Sequence, residues 1–313
     1  MFYNLENLFD IYDDTTKWDE QFLPDGDKHW TANKYETKLK NIAKVITAVG
    51  GWQTPAIIGV CEVENLFVLE ELTERSPIAK LNYQIIHKES PDNRGIDVAL
   101  LYQSDDFTPL YYDFIPIHFP NSPQSKTRDI LYAKGLMKNK DTLHVFVNHW
   151  PSRWGGQMKT ENKRIYVAET LRKKVDSLYQ TTQNPNIVIM GDFNDTPTDK
   201  SILEYLKGMP PEKPYSNSQL YNLMYPLSQT EEGTHPYQGH WAVLDQFIVS
   251  GGLINGVHQT EAKPENAYPF KADFLLEDDT KYGGKKTNRS YIGFKYNGGY
   301  SDHLPIVLDL DFR

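Results

Sequence analysis

Cysteines, long apolar runs and repeats are scarce in this 313-residue sequence, and each scarcity excludes a class of protein. Cys61 is the only cysteine, so an internal disulfide and a metal site of several thiolates are excluded. Its apolar neighbours predict a buried, inert thiol. No apolar run approaches the roughly 18 residues of a membrane span, and no segment is repetitive or of low complexity. We therefore expect a globular protein without stable insertion into a membrane.

Basic residues are also fewer than acidic ones. The sequence has 33 Lys and Arg against 42 Asp and Glu, a formal charge of -9. Non-specific binding of nucleic acid depends on Lys and Arg that neutralise phosphates, so this balance disfavours a DNA-coating protein or a regulator. It remains compatible with an enzyme that meets phosphate through a divalent cation held by carboxylates.

No signal peptide is visible at the start of the chain. Residues 2–5 already have the composition of a core strand, with nothing before them. A removed export leader and a protein that naturally starts abruptly both explain this pattern. We expect a secreted or periplasmic protein in the first case and a cytoplasmic one in the second.

Short apolar runs alternate with amphipathic stretches along the whole chain. Helices are predicted over 33–49, with Asn33 as the N-cap, over 65–74 and 159–179, and over 201–207, capped by Thr198 or Asp199. Strands are predicted over 2–5, 55–63, 83–87, 95–102, 110–117, 129–137, 142–149, 186–190, 243–249 and 304–310. Segments 208–211 and 281–300 are predicted to be surface loops. Together they indicate mixed sheets covered by helices, in one domain over 1–313.

Polar residues follow apolar strands at five places, 4–7, 62–65, 149–153, 191–195 and 301–303. Loops at strand ends are where sites are usually built. Asp192 and Asn194 share one face of an extended chain, so they can aim at one point. A carboxylate there can orient or deprotonate water, and an amide can hold a phosphate oxygen. The alternative is an Asx turn at a strand end.

Asp302 and His303 precede the last predicted strand and would face opposite sides. Asp302 would then face a cation and His303 the substrate phosphate. Asp245 lies inside an apolar strand, and a buried carboxylate must be paired. Pairing with His303 would orient the imidazole and favour its protonated form. The alternatives are a structural histidine bonded to backbone and an ordinary salt bridge.

Glu62 ends a buried strand, where a carboxylate is costly without a cation. Because Mg²⁺ takes one or two carboxylates besides water and substrate oxygens, we expect Glu62 to bind the metal, with Asn4 or Glu6 assisting. Pairing of Glu62 with Lys or Arg is the alternative. Glu64 is expected to be a solvated residue at a helix start.

His149 stands at a strand end, and His144 faces the other side of the same strand. His149 is therefore the better general acid, whereas His144 is expected on the surface or in the core. Two segments are rich in basic residues, 153–174 with seven against two acidic, and 281–300 with five and no acidic. They would steer an anionic substrate or form ordinary solvated surface. The four tyrosines of the second segment could stack on bases, lipids or sugars.

Taken in order, these segments resemble the endonuclease/exonuclease/phosphatase superfamily, which includes deoxyribonuclease I-like nucleases, bacterial sphingomyelinases and inositol-polyphosphate 5-phosphatases. The likeness extends from residue 4 to residue 303. The ordered set that carries it is Asn4, Glu62, His149, Asp192 with Asn194, Asp245, and Asp302 with His303. The resemblance implies an α/β four-layer sandwich, two packed mixed β-sheets flanked by helices. Glu6 and the insert between 264 and 300 depart from the simple nucleases and leave the substrate class open.

The resemblance also implies the metal and the water site. Glu62 would coordinate Mg²⁺, with Mn²⁺ or Ca²⁺ as alternatives. Asn4 would lie nearby, and Asp302 would complete the acidic patch. Asp192 would orient or deprotonate the attacking water, and Asn194 would bind the phosphate.

The remaining roles follow from the same resemblance. His303, paired with Asp245, would stabilise transition-state charge or transfer a proton, and His149 would be the general acid. Arg94 or Asp97 would contact substrate or support His149. Arg153, in the polar segment that follows His149, is a further substrate-binding candidate.

The expected activity is metal-dependent hydrolysis of a phosphodiester, nuclease-like, by a monomer whose partner is a phosphoester substrate, nucleic acid included. A phosphatase or phospholipase-C-like enzyme is the alternative. A non-catalytic binding protein is the third reading. The intact polar set argues against it, because a retired site has no reason to keep unpaired buried carboxylates.

Overall fold

The computed structural model describes residues 1–51 and 53–313 and contains nineteen strands and four α-helices within those ranges. The helices are α1 (Ala32–Gly50), α2 (Leu66–Glu70), α3 (Gln157–Thr181) and α4 (Gly251–Ile254). The strands are β1 (Phe2–Leu8), β2 (Ile57–Val63), β3 (Gln84–His87), β4 (Asp97–Tyr102), β5 (Phe107–Ile115), β6 (Ile130–Met137), β7 (Thr142–His149), β8 (Asn186–Asp192), β9 (Gly208–Met209), β10 (Leu220–Asn222), β11 (His235–Tyr237), β12 (His240–Ala242), β13 (Asp245–Ser250), β14 (Thr260–Pro269), β15 (Leu276–Asp278), β16 (Lys285–Thr287), β17 (Tyr291–Ile292), β18 (Lys295–Tyr296) and β19 (Ile306–Phe312).

Two mixed sheets form the centre of the molecule. The first sheet has the order β14-β19-β1-β2-β4-β3, and the second has the order β5-β6-β7-β8-β13-β10-β9. β1 runs parallel to β2, β7 parallel to β8 and β9 parallel to β10, whereas the other neighbours are antiparallel. The pairs β11–β12, β15–β16 and β17–β18 form separate two-stranded ribbons.

Apolar side chains hold the layers together in three clusters. Phe2 of the first sheet and Val145, Met190 and Phe247 of the second fill the space between the sheets. One apolar face of α1 packs with the first sheet, and one face of α3 packs with the second. The result is the four-layer sandwich of helix, sheet, sheet and helix that the family resemblance implies.

Strand β8 shows why the central strands are apolar runs. Val188 and Met190 point into the space between the sheets, and Ile187 and Ile189 point towards α3. A strand covered on both faces has no polar alternation. Each such side chain contributes roughly 1.5–3 kcal/mol on burial. Polar residues on β8 can therefore stand only at its ends, where Asn186 and Asp192 lie.

Both predicted helix caps are wrong. Helix α1 begins at Ala32 after Thr31, which makes no side-chain cap bond, so Asn33 lies inside the first turn. Residues 201–207 form a single π-helical turn, Ser201–Leu206, whose N-cap is Lys200 rather than Thr198 or Asp199. The carboxylate of Asp199 is already bonded to the Thr196 amide and to Arg153, as described below.

Two segments predicted to be surface loops contain strands. Gly208–Met209 pairs with β10 at the edge of the second sheet, and Gly208 is buried. Within 281–300, β16 pairs with β15, and β17 pairs with β18. The insert after residue 264 starts inside β14, which extends the first sheet by pairing with β19. None of the helices in the described ranges has the length and apolarity needed to cross a bilayer.

Candidate active site

Strand register brings the predicted polar residues to one edge of the two sheets. In the second sheet, Asp192 pairs with His149 on one side and with Asp245 on the other. Across the gap, Asn4 of the first sheet donates from Nδ2 to Asp192 Oδ2 at 3.1 Å. Asn4 and Asp192, 188 positions apart, therefore meet where the ends of β7 and β8 lie beside the start of β13.

Asp192 is the centre of this cluster. Its Oδ1 accepts the Asn194 amide at 2.9 Å, so the Asx turn offered as the alternative reading is present as well. Its Oδ2 lies 3.7 Å from His149 Nε2 and 3.8 Å from His303 Nε2. Burial raises the pKa of Asp192 to about 7, although His303 opposes the shift. A buried carboxylate with a raised pKa can accept a proton near neutral pH.

His303 and Asp245 form the expected pair. Nδ1 of His303 donates to Asp245 Oδ2 at 2.7 Å, and both residues are buried. Burial by itself lowers the pKa of His303, but the carboxylates of Asp245 and Asp192 outweigh it and raise the pKa well above its usual range. His303 is therefore an imidazolium whose Nε2 side faces Asp192. It supplies a fixed positive charge at the centre of the site.

His149 has the opposite character. Burial, reinforced by Arg128, lowers the pKa of His149 well below its usual range, so the ring is neutral. Its Nδ1 is buried and has no hydrogen-bond partner within 1–51 and 53–313, whereas Nε2 lies 3.8 Å from Glu62 Oε1. The general-acid role predicted for His149 requires the protonated ring, which the charge of a bound phosphate would favour.

Glu62 lies at a distorted end of β2. Its backbone φ is +58°, and Glu6 and Asn7 on the neighbouring β1 have φ of +49° and +62°. The register of β1 against β2 shifts at this point, and the Asn7 amide donates to Glu62 Oε2 at 3.0 Å. Left-handed backbone costs roughly 1–3 kcal/mol per non-glycine residue and tends to persist at functional sites. The distortion aims the Glu62 carboxylate at His149.

These donors fit a divalent cation. Burial, and after it the negative charges of Asp245 and Glu62, raise the pKa of Asp192, and Oδ1 of Asp245 is buried with no partner among the described residues. Asp192 and Asp245 hold carboxylate oxygens within 4.8 Å of each other, and a carboxylate oxygen of Asp302 lies within 4.8 Å of a ring nitrogen of His235. His303 lies beside both groups, but as an imidazolium it does not bind a metal. Hard cations take carboxylate oxygens of this kind. Asn4 Oδ1 already accepts the Glu6 amide at 2.9 Å, so its amide also braces the bend of β1.

Glu64 differs from its prediction. It is buried rather than solvated, and it accepts the Asp10 amide at 2.6 Å. Burial raises the pKa of Glu64 to about 8. The chain before α2 folds back on the segment after β1, which the local sequence did not reveal.

Arg289 joins two acidic residues at the rim of the site. It donates from Nε to Glu6 Oε1 at 2.8 Å and from Nη2 to Asp302 Oδ2 at 2.9 Å. Burial alone would raise the pKa of Asp302, but Arg289 and His235 hold it well below its usual range. Asp302 is therefore a carboxylate, as a metal ligand must be. The Glu6 carboxylate is bonded to Arg289 and accepts the Ser290 amide at 2.7 Å. These bonds do not support the prediction that Glu6 assists Glu62 in binding the metal.

Arg128 is a site residue that the sequence did not single out. Its buried guanidinium donates to Asp92 Oδ2 at 3.0 Å and to the backbone carbonyls of His149 at 3.1 Å and Trp150 at 2.5 Å. It thus fixes the chain that carries the His149 ring. Arg94 lies beside Asp92 at 3.4 Å and is 44% exposed, which leaves it accessible to a substrate. The only signal for Arg128 was its place just before a predicted strand.

Asp97 does not support His149, contrary to one of the two roles offered for it. Its carboxylate contacts His87 Nε2 at 3.0 Å and accepts the Ser90 amide at 2.7 Å. Asp97 is the first residue of β4, and the buried His87 ends the neighbouring β3. Pairing across these two strands satisfies both side chains within the first sheet, so Asp97 is not free to reach the ring of His149.

Arg153 braces the loop after β8. It donates from Nε to the Asn194 carbonyl at 2.6 Å and from Nη2 to Asp199 at 2.7 Å and Asp195 at 3.2 Å. The fully buried Arg164 of α3 contacts Asp195 from the other side at 2.7 Å. Asn194, whose φ is +51°, donates from Nδ2 to the Trp150 carbonyl at 3.0 Å. The geometry gives Arg153 a bracing function besides the substrate contact predicted for it.

Comparison with known proteins decides what kind of site this is. The model of the endonuclease/exonuclease/phosphatase family matches residues 1–311. The chain belongs to this family. Its members are metal-dependent phosphoester hydrolases, and this chain is accordingly such an enzyme. No curated protein sequence matches the chain significantly.

Solved structures of family members share the fold. The catalytic domain of human Nocturnin with bound sulfate has a TM-score of 0.56 at 19% identity, covering 89% of this chain and 87% of its own. Humanized D. rerio TDP2 has a TM-score of 0.56 at 15% identity, covering 90% and 94%. The mannosyl-6-phosphatase of Bacteroides thetaiotaomicron has 0.57 at 16%, covering 99% and 98%. At these identities the likeness shows a common sandwich fold.

Proposed function

We propose that this family member hydrolyses phosphodiesters by direct attack of water, with Mg²⁺ as the cation. The observation that carries the proposal is the convergence of His149, Asp192 and the His303–Asp245 pair at one sheet edge, with Asp192 Oδ2 within 3.8 Å of both imidazoles. A carboxylate base with a fixed cation and a neutral imidazole beside it suits in-line attack on a phosphate ester.

Asp192 would accept the proton of the attacking water or orient it, since its pKa of about 7 lies near the working pH. The His303 imidazolium would stabilise negative charge as it develops on the phosphate oxygens. The Asn194 carboxamide oxygen accepts no bond among the described residues, and its amide would hold a phosphate oxygen after a small rotation. A divalent cation held by Glu62 and Asp302, with Asn4 beside them, would neutralise the phosphate and the leaving oxygen.

A nuclease-like substrate agrees with the surroundings of the site. Trp154, five residues after His149, is 89% exposed, and Arg94 is accessible. Exposed aromatic and basic side chains can stack on bases and meet phosphates. Among the structural neighbours, D. rerio TDP2 is described in complex with a single-strand DNA product. Residues 1–313 would form one domain, since both sheets share one core cluster, and we propose that this domain acts as a monomer.

A phosphatase acting on small phosphoesters is the second candidate. The formal charge of -9 disfavours a long polyanion, and a small polar cavity of about 160 Å³ adjoins the site. The mannosyl-6-phosphatase neighbour covers nearly the whole chain. A small substrate would use that cavity, whereas a nucleic acid would extend over the exposed rim.

The test is turnover with Mg²⁺ and with a chelator on bis-p-nitrophenyl phosphate, p-nitrophenyl phosphate, single-stranded DNA and plasmid DNA. The proposal expects Mg²⁺-dependent hydrolysis of the diesters that exceeds hydrolysis of the monoester. Faster hydrolysis of the monoester would replace it with the phosphatase. Turnover that survives the chelator would contradict the metal dependence.

A further inference from the structure

A small cavity beside the site is lined by residues that the proposed mechanism does not use directly. It measures about 160 Å³ and is lined by polar and aromatic residues that include Glu6, Asn7, Lys28, Arg289 and Tyr291. Two of its lining residues contact residues of the catalytic edge, because the Asn7 amide donates to Glu62 and Arg289 donates to Asp302. A group in the cavity would therefore lie next to whatever occupies the site.

Lys28 is a cation without an ionic partner in this cavity. Its ammonium lies 4.4 Å from the ring centroid of Tyr291 and 5.2 Å from that of Phe22. It forms no salt bridge among the described residues, and the Glu6 carboxylate in the same cavity is paired with Arg289. Burial lowers the pKa of Lys28. The ammonium is half-buried between two rings and is therefore only partly hydrated. Its positive charge is poorly compensated and would attract an anion.

Arg289 offers a second donor. Its Nε and Nη2 are taken by Glu6 and Asp302, whereas Nη1 donates no hydrogen bond within 1–51 and 53–313. The two bonds fix the plane of the guanidinium, and a fixed guanidinium binds phosphate oxygens well. The cavity lining thus holds two cations and one carboxylate, Glu6, that is already bonded, whereas the second partner of Arg289, Asp302, lies outside the lining.

We infer that this cavity binds a second phosphate group of the substrate, next to the phosphate that is cleaved. The inference rests on the proposed function, since it places the cleaved phosphate at Asp192 and His303. Lys28 would meet the second phosphate as a point charge and Arg289 through Nη1. Such a phosphate is present both in a nucleotide chain and in a small bisphosphate, and the two sources need separate probes.

The experiment is calorimetric binding to the intact protein, which needs no turnover, with two matched pairs of ligands. One pair is thymidine 3′,5′-bisphosphate and thymidine 5′-phosphate, and the other is fructose 1,6-bisphosphate and fructose 6-phosphate. In at least one pair the second phosphate should tighten Kd about tenfold or more, as a charge-assisted hydrogen bond does. The pair that responds identifies the source.

Lys28→Gln should remove most of that preference, Lys28→Arg should keep most of it, and Lys40→Gln, which removes an exposed charge on α1, should leave it unchanged. The thermal midpoint of each variant checks the fold. Equal affinity within both pairs, or a preference that is undiminished in Lys28→Gln, would overturn the inference. If the protein still hydrolyses bis-p-nitrophenyl phosphate in that event, the proposed function stands and only the second phosphate site fails.

Discussion

The buried ion pair between Arg164 and Asp195 allows the most quantitative prediction. Arg164 of α3 is fully buried, and its Nε lies 2.7 Å from Asp195 Oδ1. The isosteric change Asp195→Asn keeps the volume but leaves the guanidinium without its charge partner. Breaking a buried pair in this way typically costs about 3–5 kcal/mol. We expect the free energy of unfolding to fall by that amount.

Part of the charge is compensated by other groups. Arg164 also donates to Thr160 Oγ1 at 2.6 Å and to the Gln157 carbonyl at 3.1 Å, so the loss should lie near the lower limit of that range. Urea denaturation of wild type, Asp195→Asn, Arg164→Met and the double variant measures it. Because the two residues act as a pair, the double variant should lose less than the sum of the single losses.

A loss below about 1 kcal/mol in Asp195→Asn, the value of an exposed pair, would refute the reasoning. So would strict additivity in the double variant. Asp199→Asn is the matched control, because its carboxylate contacts only the partly exposed Arg153 among the described cationic side chains. It should cost clearly less.

Three other predictions concern pH, positioning and metal. Burial, with Lys134, lowers the pKa of the buried His144 to about 4. As the pH falls, the unfolded chain therefore binds a proton at His144 before the folded chain does. The contribution of His144 to the free energy of unfolding should fall by roughly 3 kcal/mol between pH 6.5 and 4. His144→Phe should flatten that slope in urea titrations, and an unchanged slope would contradict the burial argument. Arg128→Gln should lower kcat/KM at least tenfold with the fold intact, whereas Lys88→Gln, which removes an exposed ammonium paired with Asp129, should not. Equal effects would exclude a positioning role. Mg²⁺ at a hundredfold excess over Kd should stabilise the protein by about 2.7 kcal/mol, and Glu62→Gln should lose this gain in a thermal-shift assay. A retained gain would place the metal elsewhere.

The central strands were predictable because both of their faces are covered. Val188 to Met190 had to be apolar, and the first polar residue after them, Asp192, had to lie at the edge. β7 and β13 are apolar runs that also have a polar residue at one end, and their register with β8 places His149 and Asp245 beside Asp192. The pairing of Asp245 with His303 followed from the cost of an unpaired buried carboxylate.

Contacts between distant segments were not predictable from local pattern. Arg289 reaches Glu6 across 283 positions, and nothing near either residue indicates the other. Glu64 was predicted to be solvated because it stands at a helix start, and the prediction is wrong because its partner, the Asp10 amide, lies 54 positions away. The cap at Asp199 failed for the same reason, since Arg153 competes for its carboxylate.

The central claim is that Asp192 and His303 act together on one phosphate. Its most direct measurement is kcat/KM on bis-p-nitrophenyl phosphate with saturating Mg²⁺, for Asp192→Asn, His303→Gln and the double variant. Each single change should lower kcat/KM by about a thousandfold or more, and the double variant should be little worse than either, because residues that act as a unit are not additive. Near-wild-type rates in a folded single variant, or losses that multiply in the double variant, would contradict it.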